Sequence, residues 1–372
     1  MLEGLDAVPW KTLQHAYGEA SDVPGLIRRL ASEDSDERDE ALDALYGNIC
    51  HQGTVYEATS RAVPFLVELF AAPAVKGREH IGELLFNISH GTSYHDVHQH
   101  LAFVGPILKE QPGFAERLAK ELSDVEKVKA ALSAVHPSFL AVLDADAEPA
   151  VRRQAVRLLS RCEGARAIVL RELQRRLFAV RDAPLRAAVH FALAALDFPG
   201  SRALLTDALG DESPLVRLAA ALALGFFGAE LPEAAARVLT EHLADLERAD
   251  YAQFVFGSDQ VADIGSALRQ ATPEQRERAA DAMVAAVKAQ RAGIFSVASP
   301  MLALVFDPQA PPKSLEALSP VQRRVLELVS GFTWTRPTGT WSVFANFCSM
   351  LRHYGLEELG ERLAGYERPP RR

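Results

Sequence analysis

A helical repeat constrains this chain more than any other feature. Asp146-Ala147-Glu148-Pro149-Ala150-Val151-Arg152 is followed by Ala155, Leu158 and Leu159. Sixty-five residues on, Asp211-Glu212-Ser213-Pro214-Leu215-Val216-Arg217 is followed by Ala220, Ala223 and Leu224. Between them stand Pro184, Leu185 and Arg186, then Val189, Ala192 and Leu193. The third, sixth and seventh positions after each Arg share one helical face, filled by small and aliphatic residues. Asp or Ser ahead of Pro marks a helix start, because Pro is tolerated in a first turn.

The N-terminal third repeats the unit at a longer period. Arg38 precedes Ala41, Ala44 and Leu45, and Arg78, 40 residues later, precedes Ile81, Leu84 and Leu85. Val23-Pro24-Gly25-Leu26 aligns with Val63-Pro64-Phe65-Leu66 at the same spacing, and His136-Pro137-Ser138-Phe139-Leu140 opens the corresponding later helix. Each unit is a helix pair of 31 to 40 residues. Neither helix buries its apolar face alone, so the units must stack.

On these residues the chain resembles the HEAT-repeat family, including the bacterial HEAT-like proteins grouped with phycobilisome-lyase repeats. The resemblance implies an all-α HEAT-like α-solenoid, a right-handed superhelix of antiparallel helix pairs. It is carried by Asp-x-x-Pro-x-Val-Arg-x-x-Ala at 146–155 and 211–220, with weaker copies around Arg38, Arg78 and Arg186. Within a solenoid at 1–306, clear repeats cover 22–90 and 136–228. An irregular insert at 91–135 holds a charged helix from Phe114 to Leu132, and degenerate repeats span 232–306. A Pro-rich linker at 307–320 leads to a helical C-terminal cap at 321–366. Val321, Val325 and Leu328 predict its first helix. Trp341, Phe344, Phe347 and Leu351 predict an aromatic-faced second, and Leu356 to Leu363 a third. Open solenoid ends need such a cap; an aromatic peptide-binding groove is the competing reading. Arg368-Pro369-Pro370-Arg371-Arg372 reads as a frayed tail.

Composition narrows the function classes. The 372 residues carry a net charge of -9, against bulk nucleic-acid binding, which needs a Lys/Arg excess. Residues 1–110 hold 8 Lys/Arg and 17 Asp/Glu, so all the net charge lies there. Glu33, Asp34, Asp36, Glu37, Asp39, Glu40 and Asp43 supply much of it. A helix start accounts for them best, since carboxylates favour the positive end of the helix dipole; an acidic edge attracting a basic partner is the alternative. No uncharged run reaches the roughly 18 residues of a membrane span, and Met1-Leu2-Glu3-Gly4 does not open a secretion signal. Cys50, Cys162 and Cys348 lie far apart, neither a disulfide framework nor a zinc pattern, which favours a reducing cytoplasm.

One motif is duplicated beyond what repeat packing demands. Asn48-Ile49-Cys50-His51-Gln52-Gly53-Thr54-Val55-Tyr56 and Asn87-Ile88-Ser89-His90-Gly91-Thr92-Ser93-Tyr94 share Asn-Ile-x-His-Gly-Thr-x-Tyr apart from Gln52. Both fall where a second helix ends, so stacking sets them side by side on neighbouring turns. As punctuation, Gly53 and Gly91 supply positive φ past helix ends, Thr54 and Glu57 form a capping box, and Ser93 with Asp96 mimics it. Asn and His are not required by capping. Asn48, His51, Gln52, Thr54, Tyr56, Asn87, His90, Thr92 and Tyr94 therefore make a candidate recognition strip rich in donors and acceptors. His95 and His98, one helical turn apart, extend it. With His90 these histidines invite a metal reading, but no Cys or Glu completes a pattern, and no metal or cofactor is expected.

Enzyme readings find little footing. Deoxyhypusine hydroxylases, a HEAT-repeat enzyme class, need several His-Glu dipeptides; the nearest here is His95-Asp96. HEAT-like alkylpurine DNA glycosylases need a basic face with interior Trp. Trp10, Trp334 and Trp341 lie near the ends, although Arg152, Arg153, Arg157, Arg161, Arg166, Arg171, Arg175 and Arg176 form a basic run. The ordinary role of such Arg is pairing with an Asp of the neighbouring repeat. No phosphate loop, nucleophile elbow or zinc-protease helix occurs. The expectation is a non-catalytic protein-binding scaffold or adaptor, an immunity- or regulator-type binder of a basic partner by fold-level analogy. An Arg-lined nucleic-acid binder and an enzyme using the histidines at 90–100 are the alternatives.

Overall fold

The computed structural model describes residues 1–100, 104–244, 249–257, 259–336 and 341–367; the tail from Arg368 onward lies outside them. Twenty α-helices and two short hairpins occur among the described residues, an all-α HEAT-like repeat fold. The chain divides into two units, Met1–Asp197 and Phe198–Arg372.

The first unit opens with a hairpin, β1 (Gln14–His15) antiparallel to β2 (Gly18–Glu19). Paired helices follow: α1 (Val23–Arg29) with α2 (Ser35–Ile49), and α3 (Glu57–Ala71) with α4 (Arg78–Ser89). Helices α5 (Tyr94–His98), α6 (Gly105–Lys109) and α7 (Phe114–Ala134) interrupt the series. It resumes with α8 (His136–Ala145) and α9 (Pro149–Leu159), then α10 (Arg166–Leu177) and α11 (Ala183–Leu196). The insert is looped out. Helix α4 packs directly on α9, and α9 on α11, so the layer of second helices runs on uninterrupted, while α7 covers α3. Phe70 of α3 meets Phe139 of α8 edge-on at 6.0 Å across the gap.

The repeat positions behave as their spacing requires. Ala155, Leu158 and Leu159, then Val189, Ala192 and Leu193, then Ala220, Ala223 and Leu224 are all buried, as are Ile81, Leu84 and Leu85. Ala41 and Leu45 are buried too, with Ala44 half-buried. The recurring Arg has a local task. Arg38 donates to Ser32 O, Arg78 to Phe70 O, Arg152 to Leu143 O, Arg186 to Arg181 O, and Arg217 to Asp211 O and Glu212 O. Each guanidinium thus holds carbonyls at or after the end of the preceding helix, which lack helical partners. Pairing with the next repeat's Asp is fulfilled at Arg78, which grips both oxygens of Asp146 at 2.5 and 3.0 Å.

The acidic run is largely a helix start. Asp34 caps α2, its Oδ1 accepting from Asp36 N, and Asp36 and Glu37 occupy the first turn. Glu40 pairs with Arg29 at 2.6 Å, and Glu37 accepts from Ser32 Oγ.

The second unit contains α12 (Phe198–Ala208), α13 (Pro214–Phe227), α14 (Glu233–Ala244), α15 (Gln260–Ala267), α16 (Pro273–Lys288), α17 (Ile294–Val305) and α18 (Pro320–Thr333). Hairpin β3 (Trp334–Thr335) with β4 (Ser342–Val343) then leads to α19 (Ala345–His353) and α20 (Glu357–Ala364). Thr272 and Ser319 each form a reciprocal capping box with a Gln three residues on. In the C-terminal segment Trp341 precedes β4 and Phe344 caps α19, so only Phe347 and Leu351 of the predicted aromatic helix lie on it. No single described helix is long and apolar enough to cross a membrane; α7 and α8 reach that length only as a pair bent by 41°.

Candidate protein-binding edge

The two motif copies lie side by side, as their shared offset predicts. A parallel β-bridge joins Thr54 to Thr92. Val55 N donates to Thr92 O at 3.1 Å, and Thr92 N to Gly53 O at 2.9 Å. Thr92 Oγ1 donates to the same carbonyl at 3.1 Å.

The two glycines do different work. Gly53 has φ +82°, as expected, and Gln52 before it also takes a positive φ, +49°. Gly91 does not. A Cβ there would stand 2.1 Å from Val55 Cγ1 and 2.9 Å from Ile88 O. It is glycine because the first copy's valine sits against its backbone, a contact only the folded chain creates.

The expected Thr54–Glu57 capping box is replaced by another arrangement. Thr54 Oγ1 instead donates to His51 O at 2.7 Å and sits 2.7 Å from Tyr56 Oη. The cap of α3 is Tyr56, whose N–H donates to Thr59 Oγ1 at 2.9 Å, while Thr59 Oγ1 donates to Ile49 O at 2.7 Å. Burial raises the Tyr56 pKa above the ordinary phenol value; the Thr54 hydrogen bond opposes it and the Glu121 charge adds to it. In the second copy Ser93 caps α5 by accepting from Asp96 N at 3.1 Å.

The asparagines are anchored. Asn48 Nδ2 donates to Asp22 Oδ2 at 2.6 Å, and Asn87 Nδ2 to Glu83 O at 2.9 Å and Tyr46 Oη at 3.2 Å. Asn48 O also accepts from Ala16 N at the first hairpin. That hairpin carries Tyr17, 70% exposed, whose ring meets His51 edge-on at 5.4 Å and whose hydroxyl lies 3.3 Å from His51 Nδ1. Sequence reasoning missed Tyr17, because nothing local links it to a residue 34 positions away.

The histidines separate in role. His95 is buried. Its Nδ1 lies 2.6 Å from Glu121 Oε1, and its Nε2 accepts from Arg117 Nε at 3.3 Å. Both ring nitrogens are thus engaged, which leaves no lone pair for a metal. Glu121 Oε2 also accepts from Ser93 Oγ and His95 N, at 2.6 and 2.9 Å, so one carboxylate of α7 clasps the start of α5. Replacing Glu121 with Ala strands three donors and is expected to cost about 2–3 kcal/mol. Chemical denaturation checks this, and a loss under about 0.5 kcal/mol, the scale of an ordinary surface change, would show the clasp to be idle. His98 stacks on Tyr94 at 4.0 Å and directs Nδ1 to Tyr94 O. His90 packs edge-on against Phe86 at 4.4 Å with Nδ1 3.0 Å from Phe86 O. Removal from water holds its pKa below the ordinary imidazole value, aided by the charges of Arg161 and Arg157.

Groups remain open to solvent along this edge. Gln52 is exposed and makes no hydrogen bond among the described residues. Tyr94 is 41% exposed. Thr92 is exposed, and His51 and His98 half-buried. No group of three or more His, Cys, Asp or Glu side chains placed to hold a metal occurs among the described residues.

Comparison with known proteins bears on the fold. A family model described as HEAT repeats matches residues 170–253, from α10 through α14. No curated protein matches the chain. The matched segment and the paired-helix architecture together support a HEAT-repeat protein, a helical repeat scaffold.

Proposed function

We propose that the chain is a non-catalytic scaffold that binds another protein along the edge where the two motif copies meet. The parallel bridge between Thr54 and Thr92 carries the reading. It registers two sets of polar and aromatic groups that capping leaves exposed: Tyr17, His51 and Gln52 from one level, Thr92, Tyr94 and His98 from the next. A surface preordered in this way loses little entropy on binding, and aromatic residues with polar tips are favoured anchors. Exposed Glu33, Asp36, Asp39 and Asp43 on and before α2 favour a partner face bearing Lys or Arg, as an immunity- or regulator-type binder would meet.

Site-specific crosslinking tests this. A photoreactive residue at Gln52 or Tyr94 is expected to trap one discrete partner from native lysate, and one at exposed Arg175 to trap none. The paired variant Tyr17→Ala, Tyr94→Ala is expected to abolish capture while melting like the parent. Equal trapping from Arg175, or none from either edge position, sinks the edge reading.

A further inference from the structure

Three arginines follow one another at four-residue spacing along α9 and the turn after it: Arg153, Arg157 and Arg161. Their neighbours are distinctive. The Arg157 guanidinium lies 3.6 Å over the Phe86 ring of α4. Arg161 Nη2 reaches Ser89 O at 3.4 Å, beside His90. Each of the three Nε atoms is enclosed with no hydrogen-bond partner, and none of the three forms a salt bridge among the described residues. Glu83 lies near enough for its charge to act on Arg157 without closing an ion pair. Other arginines of this unit are differently placed: Arg176 holds both oxygens of Asp144 at 2.6 Å, and Arg78 both of Asp146.

Half-buried guanidiniums with an enclosed, unmatched Nε and no ion pair are costly to a folded chain. Placed in a row they repel one another. An anion delivered from outside meets the terminal Nη groups, not the enclosed Nε, and cancels the repulsion. Four helical residues rise about 6 Å, so the three charges span about 12 Å. Alternate residues of an extended chain point the same way about 6.6 Å apart. Three carboxylates on alternate residues therefore match three guanidiniums. Glu83 at the stripe and the acidic balance of residues 1–110 oppose any anion, and oppose a long nucleic-acid polyanion more than a short segment with three carboxylates.

We propose that the Arg153–Arg157–Arg161 stripe seats an acidic, extended segment of a partner protein, with one carboxylate on each guanidinium. The proposal goes beyond the edge reading and uses none of its residues.

The test is fluorescence anisotropy with the full chain and a labelled peptide bearing glutamates at alternate positions, against one of equal composition with its glutamates contiguous. The alternating peptide is expected to bind more tightly, and less so as salt rises. The triple variant Arg153→Gln, Arg157→Gln, Arg161→Gln is expected to weaken it roughly tenfold or more. Glu83→Gln is expected to strengthen it. Should the triple variant misfold, Arg153→Gln alone, which leaves the Phe86 contact intact, is expected to weaken binding about threefold. No saturable binding of the alternating peptide, or an undiminished affinity in a folded variant, overturns the proposal. Tighter binding of an oligothymidine of equal charge overturns it in favour of a nucleic-acid groove. The Tyr17→Ala, Tyr94→Ala variant is expected to bind the peptide normally, so this seat and the edge fail separately.

Discussion

Substituting Arg78 with Met is expected to destabilise the first unit by about 3–5 kcal/mol, the cost of breaking a buried ion pair by removing one partner. Arg78 is 1% exposed, and the Asp146 side chain 3%. The guanidinium donates to both Asp146 oxygens, to Glu148 Oε1 at 2.6 Å and to Phe70 O at 3.4 Å. Met fills much of the aliphatic volume, so the loss reports the stranded carboxylate rather than a cavity. Glu148 is half-exposed and recovers water, which leaves Asp146 as the main liability. Adding Asp146→Leu should then return part of the lost stability, since removing both partners is far cheaper than removing one. The deficit has a sign with pH. The Arg78 hydrogen bonds hold the Asp146 carboxyl below its ordinary value of 3.8. A depressed carboxyl pKa contributes stability that is full above the unfolded value and is lost as pH falls through the folded one. The gap between parent and variant is therefore widest near neutrality and narrows in acid. Urea titrations across that range check it. A gap that stays constant into acid, or one below about 1 kcal/mol at neutrality, an unexceptional mutational effect, would exclude the buried pair as the tie between α4 and the α8–α9 turn.

Much of this architecture is legible because it is periodic and local. The Arg in the first turns of each second helix, the Pro before it at Arg152, Arg186 and Arg217, and the small residues after it announce the element, its start and its buried face. What the letters cannot carry is contact across distance. Arg78 is recognisable as a repeat arginine, yet its partner lies 68 residues on, beyond an insert whose looping-out only the fold reveals. Thr54 with Glu57 has the pattern of a capping box, but the parallel bridge and Tyr56 claim that turn, and the capping acceptor shifts to Thr59. His95 looks like one of a cluster until Glu121, from a helix of the insert, engages it. Arg153, Arg157 and Arg161 look like ordinary repeat arginines until the absence of an ion pair among the described residues appears. At Thr54 and His95 a local rule loses to a tertiary partner, and both lie on the candidate binding edge.

Gly91→Ala is expected to cost about 2–3 kcal/mol, an overpacking loss at the upper end of the usual range. The added methyl meets Val55 Cγ1 at 2.1 Å and Ile88 O at 2.9 Å. Neither neighbour yields easily. Val55 is buried, and its own N–H is held by Thr92 O; Ile88 O accepts from Gly91 N at 3.0 Å, closing the end of α4. The strain therefore falls on the bridge between the copies. Hydrogen exchange should accelerate at the Val55 and Thr92 amides before any global change. Gly53→Ala offers the contrast. It has open space around it but a positive φ, so its cost is the left-handed backbone alone, about 1–2 kcal/mol, with no selective loosening of the bridge. Val55→Ala separates packing from conformation: alone it destabilises by opening a cavity, but in the Gly91→Ala background it should be nearly neutral or restoring. Additive losses in that double variant would mean the Gly91 penalty is conformational after all. If the coupling appears, residues 53–56 and 91–94 act as one rigid strip, the physical condition for Tyr17, His51 and Gln52 to meet the same partner face as Thr92, Tyr94 and His98.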